Sequence, residues 1–154
     1  MPVTYRVAMS QPHTHLFEVE AVFPAAGNEL TVGLPVWTPG SYLVREYSRH
    51  LQDLSVTNTA GVALPFDRLD KRALRIKANN EPVHLKYRVY ANELTVRTSH
   101  LDGSHGYFNG ATLFYYSEQL RFRLHHVAID APASWRTTVA LDQHGQEFLA
   151  PNYD

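Results

Sequence analysis

The sequence predicts an all-β domain, an antiparallel two-sheet, sandwich-like fold with at most a short helix. Three observations lead there. Apolar residues recur at every second position in run after run, turn-forming clusters separate those runs at intervals of roughly 8–14 residues, and helix signals are few. Successive side chains of a strand point to opposite faces, so each alternating run can cover one apolar sheet face. With 154 residues, 44% hydrophobic and 12% aromatic, one ordinary domain with a real core is expected over 1–154.

The first run is Val3, Tyr5, Val7 and Met9, alternating with Thr4, Arg6 and Ser10; the second is Phe17, Val19, Ala21 and Phe23, alternating with Glu18 and Glu20. After the turn Pro24-Ala25-Ala26-Gly27-Asn28 comes Leu30, Val32, Leu34 and Val36. Leu54 with Val56, Leu74 with Ile76, and the set Val83, Leu85, Tyr87 and Val89 follow. Phe122 with Leu124, and Trp135, Thr137, Val139 and Leu141, complete the series. Asn58 to Gly61, Asn79 to Pro82, Asp102-Gly103-Ser104 and Ala131-Pro132 mark turns between runs. Ser41 is positioned to cap a short helix over residues 42–50, but no glutamate stands three residues on, as a capping box requires.

A formal charge of −1 gives no electrostatic case for nucleic acid or an anionic membrane as partner. With no cysteine there is neither a disulfide framework nor a thiolate zinc site. MPVTYRVAMS lacks the basic start and long apolar core of a secretory signal, and no run approaches the ~20 apolar residues that cross a bilayer. A cytoplasmic chain is the expectation.

Nine histidines raise the question of metal. His13 and His15, two apart, would share one face of an extended segment. With Glu20 and Gly27 they read H-x-H-x4-E-x6-G, similar to the first cupin metal motif. The second motif fails: Ser41 replaces its last glycine, and Val44 and Arg45 stand where a ligand belongs. Solvated histidines at a strand entry are the favoured alternative. Adjacent His125 and His126 face opposite sides of a strand and cannot chelate one ion without a bulge. The loop between His100 and His105 can bring both to Asp102, a spacing of low specificity. No H-E-x-x-H helix, G-x-S-x-G elbow or phosphate-binding glycine loop occurs, so catalysis by these residues alone is not encoded, and no metal or other cofactor is expected in this fragment.

The stretch from Gly106 to Tyr116 is denser in aromatics than one strand face requires, with Tyr107, Phe108, Phe114, Tyr115 and Tyr116 in ten residues. It reads either as a core segment burying Phe108, Leu113 and Phe114, or as an edge lining a peptide cleft. The cleft candidates are Tyr107, Asn109, Gly110 and Glu118. Asn109, between Phe108 and Gly110, can take a left-handed conformation or donate amide hydrogen bonds.

Four segments resemble the N-terminal domain of the glycyl aminopeptidase family, the PDZ-containing zinc metallopeptidases numbered sixty-one. They are Tyr5-Arg6-Val7 with Pro12 to Val19; Pro35-Val36-Trp37-Thr38-Pro39-Gly40-Ser41-Tyr42-Leu43-Val44-Arg45-Glu46; Tyr107-Phe108-Asn109-Gly110 with Leu113-Phe114; and Phe148 to Asp154. The second is the most specific, and its Trp37, Pro39, Gly40, Ser41, Tyr42 and Arg45 are read as structural. The resemblance implies a non-catalytic N-terminal domain of a larger zinc aminopeptidase, whose catalytic zinc domain and PDZ domain are absent here. The implied partners are that downstream domain and a peptide substrate, with zinc held in the absent part. The large aromatic and apolar fraction predicts one exposed face for docking. The rivals are a cupin-like metal enzyme using His13, His15 and Glu20, and a free-standing sandwich binding peptide or carbohydrate through Trp37 and the tyrosines.

Overall fold

The computed structural model describes residues 1–35, 50–92 and 99–154. The Trp37 to Arg45 signature lies outside the described residues, as do Val36 and, except for His50, the expected helix at 42–50.

The expected alternation produces the expected strands. β1 (Val3–Ala8), β2 (Leu16–Phe23), β3 (Glu29–Gly33), β4 (Leu51–Thr57), β6 (Ala73–Lys77) and β7 (Val83–Tyr90) all coincide with apolar runs. Short β5 (Phe66–Arg68), β8 (His100–Leu101), β9 (Gly106–Tyr107), β11 (Asp142–His144) and β12 (Glu147–Ala150) join them, with β10 (His125–Asp130) and the single-turn helix α1 (Gly110–Leu113).

Seven strands form the larger sheet in the order β11-β12-β10-β1-β2-β7-β4, and three form the smaller, β3-β6-β5. β8 and β9 make a separate two-stranded ribbon. Among the described strands β1 and β10 pair in parallel, with Val3 opposite His125 and Val7 opposite Ile129; the other ladders are antiparallel. The chain changes between these two sheets from β2 to β3, from β3 to β4, from β4 to β5, and again from β6 to β7. Asn79 and Asn80 take positive φ (53° and 57°) at the last of these crossings, where asparagine is tolerated. Gly61, at φ 78°, turns the chain after β4, and the Asn58 side chain accepts from Ala60 N and Val62 N.

The alternating residues of both sheets meet in one core. Val3, Tyr5, Val7, Phe17, Val19, Phe23, Leu85 and Tyr87 face Leu30, Val32, Leu74 and Ile76. The outer face of the larger sheet carries charge instead. Arg6 pairs with Asp130 and Lys86 with Glu20, and the register sets Arg6 opposite Glu20 and Glu20 opposite Lys86. These exposed pairs add little stability but keep that face soluble. At β4 the register slips between Gln52 and Ser55, and Asp53, at φ 55°, turns its carboxylate onto Arg88.

Two sequence expectations fail here. Trp135 to Leu141 is irregular chain, because among the described residues no partner strand receives its alternation; β11 begins only at Asp142. Phe122 and Leu124 sit in and just after a turn before β10 and are 76% and 44% exposed. Among the described residues, no helix is long and apolar enough to cross a membrane.

Candidate functional site

The segment from Gly106 to Tyr116 bridges the two sheets. Asn109, extended at φ −98° and ψ 135°, caps α1 by accepting Ala111 N–H on its side-chain oxygen at 3.0 Å. The left-handed option is not taken, because an N-cap needs extended backbone. Beyond α1 the chain is held by three tyrosine hydroxyls on three successive carbonyls. Tyr87 donates to Leu113 O, Tyr153 to Phe114 O at 2.8 Å, and Tyr5 to Tyr115 O at 2.6 Å. Tyr116 then exchanges two backbone hydrogen bonds of 2.9 Å with Gly33 at the end of β3. Leu113, Phe114 and Tyr115 are buried, so the aromatic density serves the core first.

One side of this bridge remains open. Asn109, Gly110, Phe114 and Tyr116 line a cleft of about 780 Å³ with Tyr5, His125, Tyr153, Arg121 and Asp154. Its floor is aromatic: Tyr5 stacks on Phe114 at 4.5 Å and on the His125 ring at 5.8 Å, and Tyr116 stacks on Tyr153 at 4.8 Å. Burial lowers the His125 pKa below its ordinary 6.5, partly opposed by its hydrogen bond to Arg123 O. Burial likewise raises Tyr5 and Tyr153 well above the ordinary tyrosine range. The charge at the rim is local: Arg121 makes a two-pronged bond to Asp154, at 2.8 and 3.0 Å, and reaches Glu118 at 3.4 Å. The cleft thus offers apolar rings, the amide of Asn109 and one compensated arginine.

Of the four cleft candidates, Asn109 and Gly110 line the cavity. Glu118 lines a neighbouring hollow with Glu29 and Arg72 and touches the cleft only through Arg121. Tyr107 stands on β9, 45% exposed, and is not among the lining residues. Tyr5, Arg121, His125 and Tyr153 were not anticipated. They come from separate segments, and the one sequence cue was the pair of tyrosines, Tyr5 on an otherwise aliphatic strand face and Tyr153 in the closing segment.

The cupin-like set does not assemble. Pro12–Thr14 forms a 3-10 turn, not an extended segment, and His15 follows at φ 62°. His15 Nδ1 bonds Leu101 O, while Glu20 faces outward to Lys86. His125 and His126 do point apart: His125 is buried, and His126 pairs with Glu147 at 3.1 Å. His100, Asp102 and His105 do come together, in an ordered ribbon turn. Asp102 Oδ1 accepts from Ser104 N, Ser104 Oγ and His105 N at 2.7, 2.6 and 3.0 Å, and Oδ2 lies 2.9 Å from His100 Nε2. These contacts, the Ser104 hydroxyl first and His100 next, hold the Asp102 carboxyl well below the usual carboxylate range.

The comparisons agree with this architecture. A crystal structure of an aminopeptidase N family protein from Idiomarina loihiensis superposes with a TM-score of 0.85 at 28% identity. The match covers 98% of this chain and 27% of that one, so the chain spans about a quarter of its structural relative. No curated protein matches. Residues 4–154 match the family model described as the Peptidase M61 N-terminal domain, and the chain belongs to that family.

Proposed function

We propose that this domain is the non-catalytic N-terminal part of a larger zinc-dependent aminopeptidase resembling glycyl aminopeptidase, packing on its catalytic domain and shaping the substrate cleft. The observation that carries this reading is the Asn109 cleft, an open aromatic cavity built on the bridge between the sheets of a peptidase N-terminal domain. The 27% coverage of the structural relative supports a larger parent chain. Exposed Phe122, Leu124 and Leu141, the last also lining the cleft, supply apolar surface for a neighbouring domain. The residues present do not fit the catalytic zinc of such enzymes, since H-E-x-x-H does not occur in the sequence. That ion and its general base belong to the catalytic domain, as would a PDZ domain further on.

An aminopeptidase must hold the free amine of its substrate, which takes a hydrogen-bond acceptor. Asn109 Oδ1 uses one lone pair on Ala111 N–H and keeps the second, while its Nδ2 can donate to a peptide carbonyl. Glu118 is the weaker candidate, because Arg121 already compensates its charge. Tyr107 on the adjacent ribbon and the backbone at Gly110 would extend the contact along the peptide.

The test is Asn109→Ala in the full-length peptidase. Loss of one hydrogen bond to a charged group predicts a fall in kcat/KM of roughly 10-fold or more on glycyl peptides. Asn109→Asp retains the helix cap and separates binding from folding. Unchanged KM and kcat in Asn109→Ala would remove Asn109 from the reading.

A further inference from the structure

The β8–β9 ribbon carries a second constellation that the cleft does not use. His100, Asp102 and His105 each offer one ligand atom, and these atoms all lie within 4.8 Å of one another. We propose that this turn is a binding site for a divalent transition-metal ion of the zinc, nickel and copper group, held by His100 Nε2, the Asp102 carboxylate and His105 Nδ1.

The spacing suits such an ion. A tetrahedral zinc with ligands at about 2.0–2.1 Å separates them by about 3.3 Å. The structure sets His100 Nε2 at 2.9 Å from Asp102 Oδ2, and His105 Nδ1 at 3.5 Å from Asp102 Oδ1. Entry of an ion in place of the proton between His100 and Asp102 requires the three ligand atoms, which lie within 4.8 Å of one another, to draw together to about 3.3 Å. Two imidazoles and one carboxylate form a donor set that suits zinc, nickel or copper better than magnesium or calcium.

The ligands stand on a rigid base. Leu101, between two of them, is fully buried, its N–H bonds Ala91 O at 2.9 Å, and its carbonyl receives His15. Gly106 packs so closely that an added Cβ would meet Leu101 Cδ1 at 2.9 Å. The histidines reach the turn from opposite sides of the surface, His100 with its side chain 8% exposed and His105 57% exposed. An ion here would be sealed on the core side and open to water on the other.

The test is calorimetric titration of the tag-free, chelator-stripped 154-residue chain with zinc chloride, paired with elemental analysis after gel filtration. One zinc per chain is expected, with a zinc-dependent rise in Tm. His105→Ala, exposed and outside the core, and Asp102→Asn, which keeps the turn-capping oxygen, should each weaken zinc by at least the roughly 10- to 100-fold that loss of an outer-shell partner costs. His126→Ala, which alters an exposed histidine elsewhere, should bind as the parent chain does. Absence of saturable zinc binding overturns the proposal, and so does saturable binding that His105→Ala and Asp102→Asn leave intact.

Discussion

The three tyrosine hydroxyls on the carbonyls of Leu113, Phe114 and Tyr115 give a graded test of how the cleft wall is held. Replacing each tyrosine by phenylalanine keeps the ring and deletes one oxygen, so the cost is that of leaving buried polar groups unpaired, about 1–3 kcal/mol. Tyr87 lies at the top of that range. Its oxygen donates to Leu113 O and also accepts Tyr115 N–H at 3.4 Å, deep in the core, so Tyr87→Phe strands two groups. A loss of roughly 2–3 kcal/mol follows, or about 4–12 °C in Tm for a domain of this size. Tyr5→Phe strands only Tyr115 O and should cost about 1–2 kcal/mol. Tyr153→Phe frees Phe114 O beside the open cleft, where water can replace the hydroxyl, so about 1 kcal/mol or less is expected. Urea denaturation of the three variants, read by tyrosine fluorescence and circular dichroism, checks the order. If Tyr153→Phe costs as much as Tyr87→Phe, the account of the wall as graded from dry to wet is wrong.

Other outcomes follow from the same geometry. Below pH 6.5 the unfolded chain takes up a proton at His125 that the buried folded ring resists, so this residue's contribution is complete above that pH and is lost as pH falls. His125→Phe should therefore show a smaller decline in stability between neutral and acid pH, and parallel curves for variant and parent would refute it. At the other extreme, Tyr5 and Tyr87 keep protons that an unfolded chain releases near pH 10, so stability should fall as pH rises past 10. Spectrophotometric titration should then show fewer than the nine tyrosines ionising until the fold is lost, and nine ionising in the native chain would contradict it. Asn109→Ala should also cost about 1 kcal/mol of stability through the lost helix cap, measurable by thermal melting and absent from Asn109→Asp.

The fold was readable because half-buried strands impose a period of two, and β1, β2, β3 and β7 obey it over long stretches. It was unreadable where the ladder comes from distant chain. Nothing local shows that β10 pairs in parallel with β1, more than a hundred residues earlier. The alternation from Trp135 to Leu141 was misleading for the same reason, since a period without a partner strand makes no sheet. The cleft was half legible: Asn109 and Gly110 announced themselves by composition, whereas His125 and Arg121 entered through packing. The ribbon histidines show the opposite case. Their spacing says little, and the hydrogen-bonded turn at Asp102 gives it chemical content.

The central claim is that these residues shape a peptidase cleft without performing its chemistry. The most direct measurement is hydrolysis of a glycyl chromogenic anilide by the 154-residue chain, alone and with stoichiometric zinc, beside the full-length peptidase. The account predicts turnover only in the full-length protein; zinc-supported or unaided hydrolysis by this chain would contradict it.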